Sequence, residues 1–170
     1  YFLSRELSLP FDVFMVRKLW APDHGNISIG AVESREITIL DEALISRLGL
    51  PEREVDQTVN RERLKLLERE KELRGSVLEP EVSGKQVLLV DDGMETGITM
   101  KAAAAGVAAL DAESVTAAVP VAPAAAAHDI NTLVDTLICL HCPDDFESLE
   151  QWYNNFSPVR DNTVSSYLHK

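Results

Sequence analysis

Cysteine is nearly absent. Cys139 and Cys142 are the two in a chain of 170 residues. That is too few for a disulfide framework, so a reducing, cytoplasmic setting is the default expectation. No apolar run approaches the ~20 residues of a membrane-spanning helix, and no secretory signal is visible. Positive charge is also scarce: 16 Lys and Arg stand against 28 Asp and Glu, a net charge of −12. This balance argues against a broad nucleic-acid or anionic-membrane surface, which needs a basic face. It leaves room for one local anion site built from backbone amides. The length suits a single domain with a sizeable core.

What is present is organised around Val87 to Met100, reading V-L-L-V-D-D-G-M-E-T-G-I-T-M. Val87, Leu88, Leu89 and Val90 are too short a run for a helix and predict a strand buried on both faces. Asp91 and Asp92 follow, then a turn rich in Gly and Thr, then an Ala-rich helix over 98–110. Before this motif, Tyr1 to Leu9 reads as a helix stopped at Pro10, and Asp12 to Val16 as a strand with Arg17 and Lys18 at its end. Leu19 to Asn26 reads as a loop, and Ile27 to Val32 and Glu36 to Leu40 as two short strands, a candidate hairpin. Asp41 is placed to cap a helix from Glu42 to Leu48 ended by Gly49. Pro51 opens a long helix to about Arg74, closed by Gly75. Val55, Val59, Leu66 and Leu73 give that helix one narrow apolar stripe, and its charged remainder reads as a solvated face.

After a loop from Leu78 to Lys85 and the central motif come a strand at Val115 to Val119 ended by Pro120 and a loop at Val121 to Pro123. A helix at Ala124 to Leu133, a strand at Thr136 to Leu140, and helices at Phe146 to Phe156 and Asn162 to Leu168 complete the chain. Strands alternating with helices predict an α/β fold: a mostly parallel twisted sheet flanked by helices. Ligands bind at the carboxyl edge of such sheets.

The chemistry of the motif follows from its order. The first amides of the 98–110 helix lack intrahelical partners and add to the helix dipole, making an anion site. Gly93 and Gly97 lie in the turn into it; Gly97 permits close backbone approach, and the hydroxyls of Thr96 and Thr99 can donate to phosphate oxygens. The adjacent carboxylates of Asp91 and Asp92 suit a vicinal diol. Phosphate at one end and a diol at the other describe a ribose 5-phosphate. Rival motifs fail: no Lys follows Gly97 as a P-loop requires, G-x-G-x-x-G is missing, and adjacent D-D does not match D-x-D acids.

V-L-L-V-D-D-G-M-E-T-G-I-T resembles the ribose-phosphate signature of type I phosphoribosyltransferases. F-D-V-F-M-V-R-K-L-W-A-P, I-G-A-V, V-P-V-A-P and W-Y-N-N-F-S-P-V-R-D extend the resemblance over nearly the whole chain, to a branch whose acceptor is generally unassigned. The resemblance implies a single phosphoribosyltransferase-like core using phosphoribosyl pyrophosphate (PRPP) and Mg2+, and transferring the phosphoribosyl group to a small acceptor, usually a nucleobase. It also implies a homodimer, and a first strand with a pyrophosphate loop upstream of Tyr1, which these residues do not supply. Asp91 and Asp92 would hold the ribose hydroxyls, and Met94, Glu95, Thr96, Gly97, Ile98 and Thr99 would wrap the 5′-phosphate through backbone amides. Arg17 and Lys18 match basic residues bordering the pyrophosphate; plain surface charge is the alternative. Glu95 stands where related 6-oxopurine enzymes carry an acid proposed to exchange a proton with the base, the alternative being a solvent-facing glutamate. C-P-D-D-F at 142–146 resembles the segment whose acid meets magnesium pyrophosphate, matching Asp144. Leu140 falls where those enzymes stack an aromatic ring on the base. A transferase that moves the phosphoribosyl group from PRPP with release of pyrophosphate is the functional expectation, and a PRPP- or nucleotide-binding regulator without turnover is the alternative.

Three other features point elsewhere. C-L-H-C at 139–142 could serve redox chemistry or half a zinc site, against a buried strand cysteine and one at a loop edge. His24 in A-P-D-H-G-N reads as a loop histidine. Trp152, Tyr153 and Phe156 fit one helix face, as core in preference to a base-stacking platform.

Overall fold

The computed structural model describes residues 1–35, 37–75 and 81–170. Along the chain run α1 (Phe2–Leu7), β1 (Val16–Trp20), β2 (Ser28–Glu33), β3 (Thr38–Leu40), α2 (Glu42–Leu48) and α3 (Glu52–Arg74). They are followed by β4 (Gln86–Val90), α4 (Ile98–Ala109), β5 (Ser114–Val121), α5 (Ala124–Asn131), β6 (Thr136–His141) and α6 (Asp161–Leu168). The strands form two sheets. β1-β2-β3 is antiparallel, and β4-β5-β6 is parallel with β5 in the middle. The parallel sheet flanked by helices is the one the sequence predicts, and the candidate hairpin becomes the β2–β3 pair. The start of that hairpin strand at residue 36, and positions 78–80 of the loop before β4, lie outside the described residues.

Helix α4 touches both sheets. Its Ala-rich sequence explains how: Ala102, Ala103, Ala104, Gly106 and Val107 are all buried. A Cβ at Gly106 would come within 2.7 Å of the Phe14 ring, so the helix approaches as closely as a backbone can. Ala also costs least of any residue in a helix. One core cluster lies between α4, α5 and the parallel sheet, and includes Leu89, Met94, Met100, Val107, Val119 and Ile130. A second, with Leu19, Ile29, Val32, Ile45 and Val55, joins the antiparallel sheet to α2 and α3.

Caps place α2 as expected: the Asp41 carboxylate accepts from the Leu44 N–H at 2.9 Å, and Gly49 ends the helix in the left-handed conformation. Five expectations need correction. First, the strand lies at Val16–Trp20 and not at 12–16, so Arg17 and Lys18 sit inside β1. The segment before it is diverted: Asp12 and the Val13 carbonyl are taken by Arg74, and Phe14 packs on α4. Second, β4 is half-buried and not covered on both faces, because it is the edge of its sheet; Leu89 is buried but Val90 is exposed. Third, β5 runs through Pro120 to Val121. The β4 pairing ends at Ala118, so the missing Pro120 N–H costs no ladder bond on that side. Fourth, 146–156 is no α-helix; a single 3-10 turn covers Glu150–Trp152. Asn155 instead accepts from the Ser157 N–H at 3.1 Å, a local bond that competes with helix.

The charged remainder of α3 is also not simply solvated: Glu62, Glu70 and Arg74 are buried on it. The Arg74 guanidinium grips Asp12 with two bonds of 2.7 and 2.9 Å, bonds the Val13 carbonyl at 2.7 Å, and reaches Glu70 at 3.1 Å. Burial alone would lower its pKa, but the Asp12 and Glu70 carboxylates outweigh that and hold it above the usual value. Arg74→Ala leaves two acids without their cation, so it should lower unfolding free energy by about 3 kcal/mol. Arg74→Lys should recover part of that loss. Urea denaturation of the three chains checks both.

Candidate functional site

The site is the loop between β4 and α4. Beyond Val90 the chain continues along the longer β5: the Asp91 N–H donates to the Ala118 carbonyl at 3.3 Å and the Met94 N–H to the Val121 carbonyl at 3.0 Å. Two glycines allow this path. At Gly93 a Cβ would run into the Leu149 side chain and come within 3.0 Å of the Val121 carbonyl. Gly97 caps α4 at φ +71°, left-handed backbone that costs glycine little, and a Cβ there would press on Ile130 of α5 at 3.3 Å. The amino end of α4 is thereby aimed into the loop, and its first amides present a partial positive charge. The Thr96 hydroxyl lies 3.4 Å from the Ile98 N–H, which it caps weakly.

At the other end of the loop the two carboxylates face opposite demands. The Asp91 carboxylate accepts from the Asp92 N–H at 2.9 Å. Burial, then the charge of Asp92, push the Asp91 carboxyl up to about 6, with Lys18 pulling the other way. The Tyr153 hydroxyl donates to the Asp92 backbone carbonyl. Burial and the charges of Asp92 and Asp91 raise the Tyr153 pKa and keep it a neutral donor. Lys18 reaches over from β1: its ammonium is 3.0 Å from a Glu95 carboxylate oxygen and 5.9 Å from the centre of the Trp20 ring. Between these groups lies a cavity of about 180 Å3. Drug-sized ligands usually occupy roughly 300–1,000 Å3, so this space suits a sugar phosphate, or one part of a larger ligand.

Lys18, Asp91, Asp92, Gly93, Met94, Glu95, Thr96, Gly97 and Thr99 all line this cavity, together with Leu149. Ile98 opens α4 just behind it. Met94 anchors the loop, since its amide is engaged by Val121 and its side chain is buried. The remaining predicted residues lie elsewhere. Arg17, next to Lys18 on β1, binds Glu62 of α3 at 2.6 Å, as expected if alternation along a strand sends neighbours to opposite faces. Burial would raise the Glu62 pKa, but hydrogen bonds from Lys65 and Arg61 and the charge of Arg17 hold it below the usual value. Leu140 is 78% exposed on β6, and Asp144 is exposed in the turn after it; neither lines the cavity.

Sequence reasoning does not single out Leu149 and Tyr153 as site residues. The one signal available is an aromatic residue with a polar tip beside Trp152, and that pattern reads equally well as core. Among the described residues no group of three or more His, Cys, Asp or Glu side chains is gathered for a metal. The described residues therefore offer no closed cage. The adjacent carboxylates fit a hard cation of the Mg2+ type, which one or two acids usually share with substrate phosphates. No helix among the described residues is long and apolar enough to cross a membrane.

Known proteins resemble this chain in sequence and fold. Residues 1–153 match the model of the family described as Phosphoribosyl transferase domain. Two Mycobacterium tuberculosis proteins, "Putative phosphoribosyl transferase MT0597" from strain CDC 1551 / Oshkosh and "Putative phosphoribosyl transferase Rv0571c" from strain ATCC 25618 / H37Rv, are each 28% identical over 168 residues. The match covers 99% of this chain and 38% of each relative, so the chain spans about two-fifths of their length. The crystal structure of TT1426 from Thermus thermophilus superposes with a TM-score of 0.77 at 29% identity, over 98% of this chain and 78% of that one. With the family model covering the whole loop from Asp91 to Thr99, this chain belongs to the phosphoribosyl transferase domain family.

Proposed function

We propose that the chain binds PRPP and transfers its phosphoribosyl group to a small acceptor, a nucleobase, with release of pyrophosphate. The observation that carries this reading is one cavity with an acidic pair at one end and the amino end of α4 at the other. The 5′-phosphate would sit on the α4 amides with Thr96 and Thr99. Asp91 and Asp92 would accept hydrogen bonds from the ribose hydroxyls, which relieves the crowding of two carboxylates. Lys18 would meet the pyrophosphate once it leaves Glu95. Arg17, on the opposite face of β1 and bound to Glu62, would steady the strand that carries Lys18.

In the chemical step the C1′–O bond to pyrophosphate breaks, a C1′–N bond forms, and the proton on the acceptor nitrogen passes to Glu95. Rate would come from positioning and from charge placed around the leaving group. Asp91 and Asp92 would hold a magnesium ion, with Asp144 the acid matched to it by resemblance, and the ion would supply charge neutralisation for the pyrophosphate. β1 and β4 each end a sheet beside this cavity. A homodimer is the assembly we expect.

Incubation with PRPP, Mg2+ and a panel of nucleobases should release pyrophosphate with at least one base. Tight PRPP binding without release from any base would instead identify a regulatory PRPP-binding module. Glu95→Ala should slow release with hypoxanthine or guanine by about 10²-fold or more, and unchanged rates would remove Glu95 from the mechanism. Asp91 yields a pH test. Its folded-state pKa is raised to about 6 from 3.8, so the folded chain holds the extra proton between those values and loses stability as pH rises through them. Asp91→Asn should therefore raise the melting temperature at pH 7, with the gain shrinking toward pH 4. Melting curves across that range read the sign directly.

A further inference from the structure

Cys139 and Cys142 lie at the end of β6, outside the phosphate loop. Cys139 pairs with Val119 in the sheet and packs half-buried on the core, whereas Cys142 is exposed just past the strand. Along a continuing strand, residues three apart would point to opposite faces, with Cα atoms roughly 10 Å apart. Here the chain turns after His141, and the two sulfurs are 3.3 Å apart. The Cys139 thiol also donates to the His141 carbonyl at 3.2 Å. A disulfide bond is about 2.05 Å long, so closing it requires on the order of 1 Å of movement in an exposed turn.

We propose that Cys139 and Cys142 are a dithiol that a low-molecular-weight disulfide oxidises to an intramolecular disulfide. The Cys142 thiolate attacks one sulfur of the oxidant and expels one thiolate. Cys139 then gives up its proton and attacks the Cys142 sulfur, expelling the second. Two protein thiols lose two protons and two electrons, and the oxidant leaves as two thiols. Environment sets the order. Burial, then Cys142 beside it, push the Cys139 thiol up to about 11, making it a poor first attacker on a solution oxidant. Attack on a sulfur already at contact distance needs only a small thiolate fraction, because the step is intramolecular.

The disulfide would enclose His141, and that residue leads to the ligand site. The His141 ring meets Trp152 edge-on at 4.9 Å. Tyr153, next in the chain, holds the Asp92 carbonyl, and Leu149 sits against Gly93. The thiol pair thus lies at the root of the segment that covers the loop, and the proposal stands whether or not the phosphoribosyl reading holds.

The test treats the reduced chain with oxidised glutathione, alkylates remaining thiols and maps the peptides by mass. The wild type should lose both thiols and retain no glutathione, and Cys139→Ser should hold one glutathione on Cys142. Dithiothreitol should restore both wild-type thiols. In a Trp20→Phe chain, oxidation should shift the emission of Trp152. A wild type that keeps glutathione on either cysteine at plateau, or that keeps both thiols, overturns the disulfide. Unchanged Trp152 emission overturns its link to the cover.

Discussion

The close approach of α4 to two sheets is the constraint on which the rest depends. A helix with larger side chains would stand off from one sheet or the other, because packed interiors leave no slack for added volume. Ala102 to Ala104 and Gly106 keep the separation small, and Phe14 fills the face that Gly106 opens. The amino end of the same helix is the floor of the ligand cavity. Positioning of the helix's amino end is therefore set by core packing one to three turns away, together with the glycine turn that leads into it.

Opposed to this apolar precision is a concentration of negative charge where the loop begins, which Lys18 offsets only in part. Ionising two adjacent carboxylates, one of them partly desolvated, is unfavourable, and burial with the charge of Asp92 accordingly pushes the Asp91 carboxyl up. Such a site is stabilised by what it binds: hydroxyl donors or a cation lower the energy of the ionised pair. Stability given up at a ligand site is a common arrangement, tolerated because the surrounding structure holds the geometry. Here that support is the parallel sheet below and Tyr153 above.

Much of this was legible in the sequence. The strand, acid pair, glycine turn and helix at 87–109 read correctly because each is a local signal: an apolar run, a cap, and a strong helix former. The Asp41 and Gly49 caps of α2 read correctly for the same reason. Apart from 146–156, where the local Asn155 bond competes with helix, the failures share a non-local cause. The D-V-F-M-V run has the pattern of a strand, but Arg74, distant in sequence, claims Asp12 and the Val13 carbonyl. Glu62 and Glu70 looked like solvent-facing charge until Arg17 and Arg74 were placed beside them. Leu149 and Tyr153 entered the site only through tertiary contact with Gly93 and Asp92. Pro120 read as a strand end because the sequence does not show that β4 stops short of it.

The greater length of β5 has one more consequence. The loop is tied to β5 through main-chain atoms, by the bonds from Asp91 to Ala118 and from Met94 to Val121. Main-chain anchors are blind to side-chain identity. Substitution at position 95, between the Met94 anchor and the Gly97 cap, therefore changes the side chain facing the cavity without redrawing the loop's path. Position 95 is thus a dial on the cavity wall that turns independently of the frame holding it.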